Sequence, residues 1–199
     1  MARNTAWQKA QQAQSEMKRL AVLQEAANLF NQKGYHATSL ADVAKCLNIT
    51  KTALYYYVKS KNDLLYQCYL TSLEEIDTAR ADANQKGHTG LDKICQYVAS
   101  NSFTSHEPAA LLNEIDAIED KKKRLELHKR LDRANTCITE WVREGIEDGS
   151  IEDCDPELVA RYIMGAFNWI SRWIASSKLS MAEITDNFIQ LTRKTLAPS

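Results

Sequence analysis

The sequence predicts an all-α protein. It should contain an N-terminal three-helix helix-turn-helix unit, a linker helix and a helical C-terminal body, about nine helices in all. Three observations carry this. Glycine and proline are scarce, with six and three among 199 residues, while alanine, leucine, glutamate and lysine, all good helix formers, are plentiful. Apolar residues recur at three- and four-residue spacing in one run after another. Capping residues stand where those runs begin.

The elements follow in order. Residues 1–15 are polar and Gln-rich, and are read either as a frayed tail or as part of an N-terminal segment whose Arg3, Lys9, Lys18 and Arg19 touch phosphates. A helix is expected from about Glu16 to Lys33, with Leu20, Leu23, Ala27 and Phe30 on one stripe and Gly34 as its stop. Ser39 and Asp42 have capping-box spacing, and Leu40, Val43, Ala44 and Leu47 then share one face. Asn48 tolerates the left-handed conformation that a tight turn demands. Thr50 caps a short second helix with Ala53 and Leu54 inward. Two short helices around a tight turn make a helix-turn-helix.

The outward face is then Thr50, Lys51, Thr52, Tyr55 and Tyr56. Hydroxyls donate to and accept from base edges and phosphates, a lysine neutralises a phosphate, and a helix of this width fits the major groove. Thr38 and Ser39 at the start of the preceding helix, and Lys61 at the start of the following one, complete the expected contact set. Charge agrees with this placement. Residues 1–65 carry nine Lys/Arg against four Asp/Glu, net +5, whereas residues 66–199 carry sixteen against twenty-two, net −6. A basic head on an acidic body marks the end that meets a polyanion.

Residues 18–65 resemble the DNA-binding domain of TetR-family transcriptional regulators. The matching features are Ala26-Ala27, Leu29-Phe30, Gly34-Tyr35, Thr38-Ser39, Ala44, Thr50-Lys51, Leu54-Tyr55 and Ser60-Lys61. Asn48 stands where the family usually has glycine, and Val58 where it usually has phenylalanine. The resemblance implies a DNA-binding domain over 1–65 and a ligand-binding and dimerisation domain over 66–199. It also implies a repressor released from a near-palindromic operator by a small effector.

The linker helix is expected from Lys61 towards Gln85, ending before the turn Gly87-His88-Thr89-Gly90. Body helices follow from Leu91, from Pro108, and from about Lys122 to Asp148, the last carrying Leu125, Leu127, Leu131, Ala134, Ile138, Trp141 and Val142 on its apolar side. Asp155-Pro156 opens a helix apolar nearly all round, and Ser180 with Glu183 opens the last one. Helices apolar on more than one face bury against more than their own domain, which predicts a homodimer through the last two helices.

Phe103, Leu112, Trp141, Phe167 and Trp169 are the candidate pocket residues, although Trp169 and Trp173 suit the dimer bundle equally well. The basic run Lys121–Arg124, with Lys129, Arg130 and Arg133, is either a solvated ion-paired face or the mouth of a site for a phosphate-bearing ligand. The run from Asn168-Trp169 to Trp173, with Leu179-Ser180 and Glu183-Ile184, is similar to TetR-like regulators of fatty-acid, acyl-CoA or sterol breakdown. It tilts the effector towards an acyl-CoA, a fatty acid or another apolar molecule.

Enzymes, metals and cofactors find no support in the residues. His36, His88, His106 and His128 are scattered without a metal-like partner at i+3 or i+4, and no nucleophile elbow or phosphate loop is present. Cys46, Cys68, Cys95, Cys137 and Cys154 are read as reduced thiols of a cytoplasmic protein, mostly core filler, with a redox switch as the alternative. No apolar run reaches the roughly 18 to 20 residues of a membrane span. The competing reading is an all-helical interaction protein without ligand control.

Overall fold

A computed structural model describes residues 2–100, 114–173 and 176–198, apart from the side chains of 2–4, 167–168 and 171–172. Among them the chain forms eight α-helices and no strands: α1 (Ala2–Lys33), α2 (Leu40–Cys46), α3 (Lys51–Leu54), α4 (Lys61–Lys86), α5 (Gly90–Ser100), α6 (Lys121–Glu147), α7 (Pro156–Trp173) and α8 (Met181–Leu196). The start of the helix expected to open at Pro108 lies outside the described residues, while Ile115 and Ile118, expected to face inward, are buried. None of the described helices is long and apolar enough to cross a membrane.

Two compact units divide the chain. The first comprises the residues up to Tyr69 together with Glu114–Glu119, and the second runs from Leu70 into α5 and again from Asp120 onwards. The change of unit therefore falls within α4, and a short 3₁₀ turn over Glu114–Ala117 belongs with the N-terminal helices.

In the first unit, Val22, Leu23, Ala26 and Phe30 of α1 are buried, with Val43 of α2, Leu54 of α3 and Leu64 and Leu65 of α4. These positions recur every three or four residues because only one face of each helix meets the core. Gly34 ends the core-packed part of α1 with φ +84° and donates its amide to the Phe30 carbonyl at 2.9 Å. A left-handed residue at this point satisfies a carbonyl that the ended helix leaves open. The apolar stripe predicts a start of α1 near Glu16. The helix instead begins at Ala2, and residues 5–18 are exposed. Ala, Gln, Lys and Glu all favour helix, and a helix already nucleated by packing extends into such residues at little cost.

In the second unit, α5 packs on α6 and α8, and α6 on α7. Its core holds Ile94, Tyr97, Val98, Ile138, Trp141, Val142, Ile163 and Ile170. Leu125, expected on the apolar side of α6, is instead 56% exposed. The core-facing stripe of α6 runs Leu127, Ala134, Cys137, Ile138, Trp141, Val142, and Leu125 precedes Leu127 by two positions, which points it away from that stripe.

Carboxylates help to cap α2, α6 and α8, and Asp155 caps α7 by accepting from the Glu157 and Leu158 amides. Asp42 accepts from the Ser39 hydroxyl and amide, Asp120 accepts from the Lys122 and Lys123 amides, and Glu183 mirrors Asp42 on Ser180. Each is held below the usual carboxylate range: Asp42 chiefly by the Ser39 hydroxyl, Asp120 by the Lys123 amide and Glu183 by the Ser180 amide. A carboxyl whose pKa is lowered by folding stabilises the fold above its unfolded pKa, and that contribution disappears as pH falls through the lowered value. Thermal unfolding followed by circular dichroism should therefore give one melting temperature from pH 7 to about 5 and a progressive fall below about pH 4. A melting temperature flat to pH 3 would show that these caps add nothing.

Candidate nucleic-acid interface

The site is built on α2 and α3. Ser39 caps α2 with a complete capping box: its hydroxyl accepts from the Asp42 amide at 3.2 Å and donates to the Asp42 carboxylate at 2.6 Å. After Leu47 the chain turns at Asn48, whose φ is 53°. The Asn48 amide reaches the Lys45 carbonyl at 3.1 Å and the Ile49 amide the Ala44 carbonyl at 2.9 Å. Glycine adopts this conformation without strain, and asparagine is among the few other residues that tolerate it.

Thr50 then caps α3, its Oγ1 accepting from the Ala53 amide at 3.1 Å. That bond uses the oxygen as acceptor, so the hydroxyl proton can still be donated outward. The helix is short. Its last amides bond back three residues, Tyr56 to Ala53 and Tyr57 to Leu54, which tightens the end into a 3₁₀ turn. Leu54 and Val58 are completely or almost completely buried, at 0% and 1% exposure, so the smaller Val58 still anchors the element.

With Leu54 inward, Thr50, Lys51, Thr52, Tyr55 and Tyr56 face out. Tyr56 is 87% exposed and Tyr55 49%. The Lys51 ammonium lies 6.0 Å from the centre of the Tyr55 ring, close enough for a weak cation–π attraction to bias the lysine along the face. Large aromatic side chains so exposed gain nothing from the core, so their task is external.

Lys61, at the start of α4, is partly held by the protein. Its ammonium sits 4.2 Å above the Tyr35 ring and donates to the His36 carbonyl at 3.2 Å. One donor is thus used internally and the side chain is oriented rather than loose. The end of α4 is also partly closed, because the Ser60 hydroxyl accepts from the Asp63 amide and the Asp63 carboxylate accepts from the Lys59 amide. Beside Lys61, Asn62 donates to the Ala117 carbonyl at 2.6 Å and accepts from the Glu119 amide at 3.2 Å. This clamp links residues more than fifty positions apart, so no local pattern announces it.

Thr38 needs correction. The sequence pattern turns it towards DNA, but it is 2% exposed, and its hydroxyl donates to the Gly34 carbonyl at 2.9 Å with the Leu29 carbonyl at 3.3 Å. It fixes the α1–α2 corner. Replacing it by the isosteric valine would leave the Gly34 carbonyl without this donor. Thr38→Val should cost about 1 to 2 kcal/mol in urea unfolding while operator affinity of the folded protein stays unchanged.

Only two of the pocket candidates, Trp141 and Trp169, have described side chains. Phe103 and Leu112 lie outside the described residues, as does the side chain of Phe167. Trp141 is 2% exposed in the core of the second unit, its indole N–H donating to the Asn84 side-chain oxygen at 2.9 Å. Trp169 is 63% exposed. The five cysteines are free thiols. Burial pushes the Cys68 thiol up to about 12 and Cys137 up to about 11, which keeps both unreactive.

Comparison with known proteins agrees with this geometry. Residues 22–68 match the family model described as bacterial regulatory proteins, tetR family, and residues 89–196 match the tetracyclin repressor-like C-terminal domain. The chain is 29% identical over 171 residues to the HTH-type transcriptional repressor KstR2 of Mycolicibacterium smegmatis, covering 81% of each. The crystal structure of the TetR-family regulator PfmR from Thermus thermophilus superimposes with a TM-score of 0.74 at 27% identity, over 89% of this chain and 99% of that one. AibR, solved with isovaleryl coenzyme A and operator DNA, shares the fold with a TM-score of 0.69 at 20% identity, over 87% of this chain and 96% of its own. With a helix-turn-helix presenting hydroxyls, aromatics and a cation, and family models matching both of its ends, the chain belongs to the TetR family of DNA-binding transcriptional regulators and is not an enzyme.

Proposed function

We propose that the protein is a homodimeric repressor that leaves a near-palindromic operator when a small apolar or CoA-linked effector binds its C-terminal unit. The observation that carries the DNA part is the outward face of α3. Thr50, Lys51, Thr52, Tyr55 and Tyr56 are arrayed beside buried Leu54, and Ser39 and Lys61 flank them as phosphate contacts. Direct base contacts come from α3, and Thr38 serves the corner behind it.

Dimerisation is supported by a stripe on α7. Leu158, Tyr162, Gly165 and Trp169 recur at four-, three- and four-residue spacing, and all four are exposed, the three large ones by 63% or more. Leu191 of α8 adds another apolar side chain at 59% exposure. Such a stripe on one helix is more apolar surface than a monomer usually leaves to water. A dimer that reads successive major grooves needs its recognition helices about 34 to 36 Å apart, one turn of DNA. The effector part is supported by AibR, a structural neighbour solved with an acyl-CoA and its operator, and by the repressor name of the Mycolicibacterium smegmatis relative.

Native mass spectrometry together with fluorescence anisotropy on DNA upstream of its own gene tests this reading. A dimer that binds one near-palindromic segment and loses affinity steeply with added salt is the expected result. A monomer, or no binding at low salt, would overturn it.

A further inference from the structure

The DNA-binding unit includes a segment from far along the chain. The turn Glu114–Glu119 belongs to the same compact unit as α1 to α3 and the first turns of α4, and Ile115 and Ile118 are buried there. The Ile118 amide donates back to the Ile115 carbonyl at 3.1 Å, which closes the turn on itself. One side chain of α4 holds its outgoing end. Asn62 donates to the Ala117 carbonyl at 2.6 Å and accepts from the Glu119 amide at 3.2 Å, and its amide nitrogen also donates to the Tyr35 hydroxyl at 3.4 Å. An asparagine amide offers two donors and one oxygen, and here all of them have protein partners. Such a side chain is fixed.

What Asn62 holds is the support of Lys61. Tyr35 is buried, with its ring edge-on to those of Phe30 and His36, centres 5.3 Å apart in each case. The Lys61 ammonium rests 4.2 Å from the centre of the same Tyr35 ring and donates to the His36 carbonyl. Asn62 is also the residue after Lys61, so the bonds on its side chain steady the backbone from which Lys61 projects. A lysine stem loses much rotamer freedom when its charge is held at one place. A lysine oriented beforehand has less to lose on meeting a phosphate, and binds it more tightly for that reason.

We propose that Asn62 is a positioning residue for operator binding and that the turn Glu114–Glu119 is a working part of the DNA-binding unit. Docked on Asn62, the turn holds the start of α4 and the Tyr35 ring so that Lys61 meets a phosphate. This inference rests on the reading of Lys61 as a phosphate contact. The linkage is reciprocal: if the docked turn favours operator binding, operator binding favours the docked turn. An Asn62 that merely tied down the turn would leave operator binding untouched.

The test uses the full chain and its operator DNA. In wild type, hydrogen exchange at the Ile118 and Glu119 amides should slow several-fold when operator is added, although neither residue is placed against DNA. Asn62→Ala should bind operator roughly tenfold more weakly. It should also lower the slope of log affinity against log salt by up to about two, at close to 0.9 per phosphate in each of two heads, although no charge has been removed. Lys61→Gln should have the same two effects, and adding Asn62→Ala to it should weaken binding no further, because both act on one contact. Four results overturn the proposal: exchange at Glu119 indifferent to operator; Asn62→Ala binding as tightly as wild type; weaker binding with an unchanged salt slope; or losses from the two substitutions that add. The exchange measurement needs no variant, so it decides the matter even if Asn62→Ala fails to fold. Lys61→Gln binding operator like wild type would remove the phosphate reading of Lys61 itself, and the proposal with it.

Discussion

A protein carrying Lys51→Gln and Tyr56→Ala together should bind its operator roughly 100-fold or more weakly than wild type while melting within a degree or so of it. Each side chain is exposed, Tyr56 by 87%, and surface substitutions away from caps and core contacts usually change stability by no more than about 0.5 kcal/mol. On DNA the magnitudes differ. A base or phosphate contact is worth about 1 to 3 kcal/mol. The proposed dimer carries every substitution twice, so even a modest loss per head multiplies. Salt separates the two contributions. Removing one phosphate-neutralising lysine from each head should lower the slope of log affinity against log salt by about two, at close to 0.9 per phosphate. An unchanged slope would move Lys51 off the phosphate, and a lowered melting temperature would mean that the α3 face is structural after all.

The second large effect is expected at Gly90. The first residue of α5 lies against α6 so closely that a Cβ there would overlap the Trp141 carbonyl oxygen and the Gly145 amide nitrogen. The Gly90 amide meanwhile donates to the Asp148 carboxylate at 2.8 Å, and the Leu91 amide to the Ser150 hydroxyl at 3.3 Å. Two effects compete in Gly90→Ala. Alanine is the better helix former by about 1 kcal/mol. The clash, however, is with backbone rather than with the end of a flexible side chain, so α5 and α6 must separate, breaking these bonds and opening the core around Trp141. Overpacking costs typically about 1 to 3 kcal/mol, and more where nothing can yield. The steric term wins, and Gly90→Ala should lose about 3 kcal/mol or more, roughly 6 to 12 °C in melting temperature for a chain of this size. Calorimetry of the purified variant would show it. A variant as stable as wild type would mean that the helices can part freely.

Gly90 also shows where sequence reasoning stops. It is legible only as part of a turn, because Gly87-His88-Thr89-Gly90 has turn composition. That it lets two helices touch depends on Gly145, fifty-five positions away, and no local spacing encodes that. Asn62 and Tyr97 escape notice for the same reason: the first clamps Ala117 and Glu119, and the second packs on Trp141. Thr38 fails differently. A threonine just before a cap reads as exposed, and only its bond to the Gly34 carbonyl turns it inward.

What the sequence by itself determined is what short-range physics controls. The caps at Ser39, Thr50, Asp155 and Ser180, the turn at Asn48, the stop at Gly34 and the inward stripes of the first four helices all follow from interactions within about four residues. From these came the all-helical class, the helix-turn-helix and its outward face. The tertiary structure decided everything that depends on residues meeting from distant parts of the chain: that Thr38 is buried, that Leu125 is not, that Lys61 rests on Tyr35, and that Tyr97 packs on Trp141 with its hydroxyl unpartnered among the described residues. Helical periodicity says which residues lie on one side of a helix. It does not say which other helix, or which ligand, that side will meet.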